Sequence, residues 1–209
     1  KIKGMKPVRI VINKVKRRSD MLLEEFDKVN DLDHTHIVYL KHKKTGLNIV
    51  KKTVGIKQGV DEINILSKVN CDCFPRLLDF EINANHVSLY TLKVQGVRWD
   101  AVQHNQKFHQ FVVENMEQVT KNAILVLKVL KNERLIHGDV KPDNLFIDEA
   151  LNVKLIDFGS AISETAQGIK SNTMGVMHYS APEVVLSNEG VSYLSDCYAM
   201  GRSEERRVG

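Results

Sequence analysis

Cysteine is scarce in this 209-residue chain, which holds three: Cys71, Cys73 and Cys197. An odd count excludes the disulfide framework of a small secreted domain, and Cys71-x-Cys73 has no second Cys or His pair at zinc spacing. Reduced thiols, packed or at the surface, are the reading this favours. Long apolar runs are missing too, so no segment has the length of a membrane span. The short apolar stretch at residues 8–12 lacks both the length and the small-residue cleavage site of a secretory signal. These absences lead to the expectation of an intracellular protein, in cytoplasm or nucleus. Hydrophobic residues make up 43% of the chain, an ordinary share for one or two domains with a packed core.

Charge of one sign is concentrated rather than spread. Residues 1–20 carry eight Lys or Arg against Asp20, a net of +7, and residues 202–209 carry a net of +1. The formal total is +4, so the body between them stands at −4. A basic arm on an acidic body can touch nucleic acid, an acidic partner or a membrane surface. No aromatic residue interleaves the arm to stack bases. A solvated leader is the favoured reading, and nucleic acid is not the expected partner.

The chemistry sits further along. Residues 137–144 read His-Gly-Asp-Val-Lys-Pro-Asp-Asn, and Asp157-Phe158-Gly159 stands just beyond. Between them Leu145-Phe146-Ile147 and Val153-Lys154-Leu155-Ile156 flank an Asp148-Glu149 turn, the pattern of a β-hairpin. Asp139, Lys141, Asn144 and Asp157 are thus spread over a loop, a hairpin and the turn after it. Two carboxylates, an amide and an ammonium at one point can place an acceptor hydroxyl, hold Mg²⁺ and neutralise a phosphoryl group in transfer.

This order resembles the eukaryotic protein kinases, whose pattern is His-Arg-Asp-Leu-x-x-x-x-Asn, then Asp-Phe-Gly, then Ala-Pro-Glu. The last element is present as Ala181-Pro182-Glu183. The resemblance covers residues 22–201. It implies an α+β, bilobal fold: a basic extension at 1–20, a β-rich small lobe and hinge at 21–94, and an incomplete helical large lobe at 95–201. It also implies ATP and Mg²⁺ as cofactors and a protein as substrate. Asp139 would then orient and deprotonate the acceptor hydroxyl, and Lys141 would balance charge on the phosphoryl group. Asn144 and Asp157 would bind Mg²⁺. Lysine two places after Asp139 resembles the serine/threonine branch.

The upstream segment fits a small lobe. Residues 26–30, 37–42 and 47–54 alternate in polarity as a three-stranded meander, with a Lys43-Lys44-Thr45-Gly46 turn. The family's phosphate-binding lysine aligns with Lys52, which shares a strand face with Val50 and Val54; Lys51 is the alternative. Residues 60–69 have helical spacing, and Glu62 stands where the family's helix presents a glutamate to that lysine. The short gap between Lys52 and Glu62 predicts a late-starting helix. Residues 74–80 match the next connection and strand. Residues 87–94 match the fifth strand and hinge, with Thr91 as gatekeeper and Leu92, Lys93 and Val94 offering backbone to adenine. Residues 116–130 form a long helical pattern leading to the catalytic loop. Asp196, within Tyr193-Leu-Ser-Asp-Cys-Tyr-Ala-Met-Gly201, would anchor that loop.

Several family features are absent. The glycine-rich loop is replaced by Asp31-Leu32-Asp33-His34-Thr35-His36, which predicts weaker phosphate binding. Gly138 replaces the catalytic-loop arginine that gathers a phosphorylated activation loop, so Ser171 and Thr173 are not expected to act as an on-switch. Val176 replaces a threonine that steadies the catalytic pair. These departures keep a second reading open, a pseudokinase scaffold with weak or no nucleotide binding. Residues 202–209 resemble the translation of a sequencing-library adapter and read as a non-native tail on a truncated large lobe. Oligomeric state is not legible.

Overall fold

The computed structural model describes residues 25–31, 36–164, 178–186 and 190–208. Asp33, Ser171, Thr173, Val176 and the basic arm lie outside them, as does the side chain of Asp31. The chain opens with strands β1 (Phe26–Asp31), β2 (Ile37–His42) and β3 (Asn48–Val54). Gly46, at φ +70°, supplies the left-handed residue of the turn between β2 and β3. Helix α1 (Ile56–Leu66) follows, then β4 (Leu77–Ile82) and β5 (Val87–Leu92). The five strands form one antiparallel sheet in the order β1-β2-β3-β5-β4. Lys52 pairs with Leu89 of β5, and Val50 with Thr91.

Helix α1 begins at Ile56, four residues before the apolar spacing shows it, and ends at Leu66 rather than Val69. Ile56 is exposed and adds nothing to the buried stripe. Burial begins at Gly59 and continues through Glu62, Ile63, Ile65 and Leu66. Gly59 lets the helix lie against the sheet: a Cβ there would stand 2.5 Å from Val87 Cβ. Ile63 and Val87 are fully buried at this contact, where each such side chain contributes about 1.5–3 kcal/mol.

The rest of the chain is mainly helical. Strand β6 (Val97–Arg98) precedes a 3₁₀ turn at Trp99–His104, then α2 (Gln106–Glu114) and α3 (Met116–Asn132). Asn105 caps α2 by accepting the Phe108 N–H at 3.1 Å. Helix α3 buries Val119, Ala123, Val126, Leu127 and Leu130, one face at helical spacing. Strand β7 (Leu135–Ile136) leads to the 3₁₀ turn Pro142–Asn144. The hairpin β8 (Leu145–Ile147) and β9 (Val153–Leu155) comes next, then β10 (Ile162–Ser163) beside β7. The hairpin turn is held by Asp148, whose Oδ1 accepts the N–H of Ala150 and of Asn152.

Helices α4 (Pro182–Leu186) and α5 (Tyr193–Val208) close the described chain. Ser192 and Ser195 cap α5 reciprocally, each hydroxyl accepting the other's backbone N–H at 3.1 and 2.8 Å. The helix runs through Gly201 without a break.

The cysteine reading needs correction. Cys71 and Cys73 are joined by a disulfide, with Cα atoms 5.2 Å apart, and Cys197 is the free thiol. The turn after α1 brings the two side chains together, a local proximity that a count of three cysteines does not reveal.

Candidate active site

Strand β3 carries Lys52 toward α1. Its Nζ lies 2.8 Å from Glu62 Oε2 and 3.1 Å from Oε1, and 2.6 Å from Asp157 Oδ1. Lys51, one residue away and on the other face, instead sits over the Tyr90 ring at 5.4 Å. Of the two lysines left open by the sequence, Lys52 is therefore the one that meets Glu62. Burial alone would lower the Lys52 pKa, but the Glu62 and Asp157 carboxylates outweigh it and hold the ammonium above its ordinary range. Burial likewise acts to raise Asp157, and the facing ammonium prevails and keeps it below the usual carboxylate range. Glu62, only 4% exposed, is pushed up by burial, with Lys52 pulling the other way.

Asp157 has a left-handed backbone at φ 66°, and its Oδ1 also accepts the Gly159 N–H at 3.2 Å. A short polar side chain tolerates this conformation better than most. The turn it makes sends Phe158 into the core, where its ring meets Phe74 edge-on at 4.9 Å and His137 at 5.0 Å.

The second group gathers on the loop after β7. Lys141 Nζ lies 2.7 Å from Asp139 Oδ2, and Asn144 Nδ2 donates to the Asp139 carbonyl at 2.9 Å and to its Oδ2 at 3.1 Å. Asn144 also accepts the Ile156 N–H on its backbone oxygen at 2.9 Å, which ties this loop to the residue before Asp157. His137 makes the companion link. Its Nδ1 accepts the Asp139 N–H at 3.3 Å, so its proton is on Nε2, which donates to the Ile156 carbonyl at 3.1 Å. Complete burial lowers its pKa to about 4, only partly offset by that hydrogen bond. His137 is thus a neutral strut.

Asp196 holds the loop from below, accepting the N–H groups of His137 and Gly138. Gly138 is at φ +75°, and a Cβ there would stand 3.2 Å from the Ser160 carbonyl oxygen. Glycine suits that backbone where the family carries arginine.

The hinge residues lie apart from both groups. Thr91 is opposite Val50 in the sheet, and Leu92, the last residue of β5, donates its N–H to the Arg76 carbonyl at 2.9 Å. The Lys93 N–H goes to the Asn48 carbonyl at 3.0 Å. The Val94 backbone makes no hydrogen bond among the described residues and remains available to a ligand.

Among the described residues no group of three or more His, Cys, Asp or Glu could hold a metal by itself. What the site offers is two oxygens with no hydrogen-bond partner among the described residues, Asp157 Oδ2 and Asn144 Oδ1. One carboxylate and one amide oxygen fit Mg²⁺, a hard cation that usually keeps water and substrate phosphates as its other ligands. No helix among the described residues is long and apolar enough to cross a membrane.

A protein kinase domain profile matches residues 28–203. The chain belongs to the protein kinase family. Among similar proteins is a Dictyostelium discoideum protein described as a probable serine/threonine-protein kinase. It is 26% identical over 185 residues, covering 78% of this chain and 27% of its own length. Mitogen-activated protein kinase kinase kinase 1b of Physcomitrium patens is 30% identical over 146 residues, 70% of this chain and 19% of its own. Homeodomain-interacting protein kinase 1 of Mus musculus is 30% identical over 139 residues, 62% and 11% respectively. The chain thus spans about a quarter or less of these relatives. The kinase fold accounts for the β-rich sheet followed by helices. Sequence reasoning placed Asp196 but missed the strut role of His137 and the Phe74–Phe158 contact. The position of His137 two residues before Asp139 was the available signal for the first; nothing local marks the second.

Proposed function

We propose that the protein transfers the γ-phosphoryl group of ATP to serine or threonine hydroxyls of an intracellular protein substrate. The observation that carries this reading is the Lys52 ammonium held between Glu62 and Asp157 at 2.8 and 2.6 Å. A buried ion pair costs desolvation, and phosphate binding by Lys52 supplies a use for it. Lys52, fixed by Glu62, would meet the nucleotide phosphates. Asp157 Oδ2 and Asn144 Oδ1 would hold Mg²⁺, which when bound supplies positive charge to the phosphate oxygens. The Val94 backbone is available to the adenine edge, with Leu92 and Thr91 beside it. Asp139 receives the hydroxyl proton on a carboxylate oriented by Lys141 and Asn144. Lys141, 2.7 Å from Asp139, offsets charge on the acceptor side. Catalysis of this kind is chiefly positioning and electrostatics.

The pseudokinase reading draws on the glycine-free segment at 31–36, on Val176 and on the short gap between Lys52 and Glu62. The two are separated by measuring phosphate transfer to a serine/threonine peptide array alongside Mg-ATP binding. The kinase reading expects transfer that falls by about 10²–10⁴ in Asp139→Asn while nucleotide binding persists. Binding without transfer in the unaltered protein, or neither, would establish the scaffold.

A further inference from the structure

Between the end of α1, the start of β4, the segment after β5 and the outer flank of α3 lies a cavity of about 930 Å³. That is at the upper end of the range for ligand sites. None of Lys52, Glu62, Asp139, Asn144 or Asp157 lines it, while Leu92, Lys93 and Val94 of the hinge do, so it borders the hinge and is separate from the phosphate and metal groups described above.

The floor of the cavity is apolar. Leu125 on α3 is 54% exposed there, beside the half-buried Val129. An exposed leucine alone means little, but this one faces a recess with charge of one sign. Among the described residues the lining holds four cations, Lys68, Arg76, Lys93 and Lys154, against one carboxylate, Asp72. Lys93 lies over the Tyr39 ring at 5.0 Å and Lys154 is 3.4 Å from Asp148. Lys68 and Arg76 are exposed and have no acidic partner among the described residues. The only aromatic side chain among the described residues of the lining, Phe74, is 5% exposed, so none of these can stack a base.

We propose that this cavity docks a partner protein through an acidic peptide segment. An apolar side chain of that segment seats on Leu125 and Val129, while its carboxylates meet Lys68 and Arg76. Charge complementarity sets the sign of the partner, and the leucine floor distinguishes a peptide from a simple polyanion. The wall of the cavity is also joined to the catalytic turn. The Cys73 carbonyl accepts the Leu155 N–H at 2.9 Å, and Phe74 stacks edge-on against Phe158. A docked segment therefore presses on residues that flank Asp157.

The test is fluorescence anisotropy on the whole chain with three short labelled peptides: Glu alternating with Leu, Glu with Ser, and Lys with Leu. The first is expected to bind about tenfold or more tightly than the others, and less tightly as salt rises. Lys68→Glu with Arg76→Glu, and separately Leu125→Ser, are expected to weaken it by about tenfold and several-fold. All three positions are exposed, so an unchanged melting temperature serves as the folding control. Equal binding of the Glu/Ser peptide would overturn the proposal. So would full affinity in the double charge reversal, or equally tight binding of a single-stranded oligonucleotide of the same charge.

Discussion

The Asp196 carboxylate, in the first turn of α5, accepts the backbone N–H of His137 at 2.6 Å across 59 positions of sequence. Its other oxygen takes the Gly138 N–H at 2.9 Å. The two residues that precede Asp139 are thereby hung on a helix that contributes nothing to the reacting groups. The position of the carboxylate is itself determined by the Ser192–Ser195 cap, since Asp196 follows immediately and donates its N–H to the Ser192 carbonyl at 3.1 Å. Under the proposed activity Asp196 acts through the loop and is a positioning residue.

Asp196→Asn tests that relationship. The amide keeps one oxygen acceptor but turns its NH₂ toward a backbone N–H, leaving a buried donor unsatisfied. The expected cost is about 1–3 kcal/mol of stability. Under the proposed activity, kcat falls while the Mg-ATP affinity, carried by Lys52 and Asp157, changes little. Equal loss of nucleotide binding would show that Asp196 supports the whole site rather than the loop.

The pH dependence follows from two buried groups of opposite sign. Burial raises Asp196 to about 6, despite its two N–H donors, so in the folded protein it takes up a proton that the unfolded chain has already released. Its contribution makes the fold more stable as pH falls from about 6 to 4. His137, lowered to about 4 by burial, works the other way: the unfolded chain protonates first, and stability is lost as pH falls from about 6.5 to 4. The two effects oppose each other over this interval, so removing either one should expose the other. Asp196→Asn should become steeply less stable over that interval. Activity is different, because protonating Asp196 removes the anion that holds His137 and Gly138; it is expected to fall below about pH 6. A melting curve of the variant that stays flat would refute the pairing.

The sequence made the candidate site legible because each of its residues falls within a short motif whose spacing survives translation into structure. Asp139, Lys141 and Asn144 sit on one loop, and the hairpin after them carries the chain to Asp157 by strand pairing alone. The buried stripe of α3 was equally readable, since Val119 through Leu130 keep one period along a single helix. Features made by packing between distant segments were not. Phe74 meets Phe158 across the sheet–helix junction, and neither neighbourhood announces the other. Helix α1 hides its first turn because Ile56 faces solvent. Helix α2 carries a cap at Asn105 and apolar residues Phe108, Phe111 and Val112 at helical spacing, a local signal that lies outside the family motifs. The Cys71–Cys73 bond depends on a turn whose conformation the sequence does not specify.

Gly138→Ala bears on the departure from the family's arginine. The left-handed backbone costs a residue with a Cβ about 1–2 kcal/mol, and the Ser160 carbonyl oxygen at 3.2 Å leaves no slack. A fall in melting temperature of about 3–6 °C is expected. Gly138→Arg restores the family's residue yet meets the same backbone, so it should destabilise to a similar degree. A rise in melting temperature with arginine would show that this loop relaxes freely and that the glycine is incidental.

Gly59→Ala is the sharpest test of how the fold builds the site, because two effects predict opposite signs. Alanine favours a helix interior over glycine by about 0.8–1.0 kcal/mol, so on propensity alone the change stabilises α1. Packing opposes it: the new methyl would lie 2.5 Å from Val87 Cβ and 3.1 Å from Val54 Cγ2, distances that oblige the helix to lift off the sheet. Glu62 follows Gly59 by three residues and shares its buried face, so lifting α1 lengthens the 2.8 Å contact with Lys52. Overpacking of this kind costs about 1–3 kcal/mol, enough to outweigh propensity. The expected outcome is a lower melting temperature together with weaker Mg-ATP binding. Val87→Ala leaves a cavity on its own, yet in combination with Gly59→Ala it opens the space the methyl needs. The double variant should therefore bind nucleotide better than Gly59→Ala alone, a non-additivity confined to residues in contact. Strict additivity of the two changes would mean that α1 is not seated by this contact and that the Lys52–Glu62 pair is held in some other way.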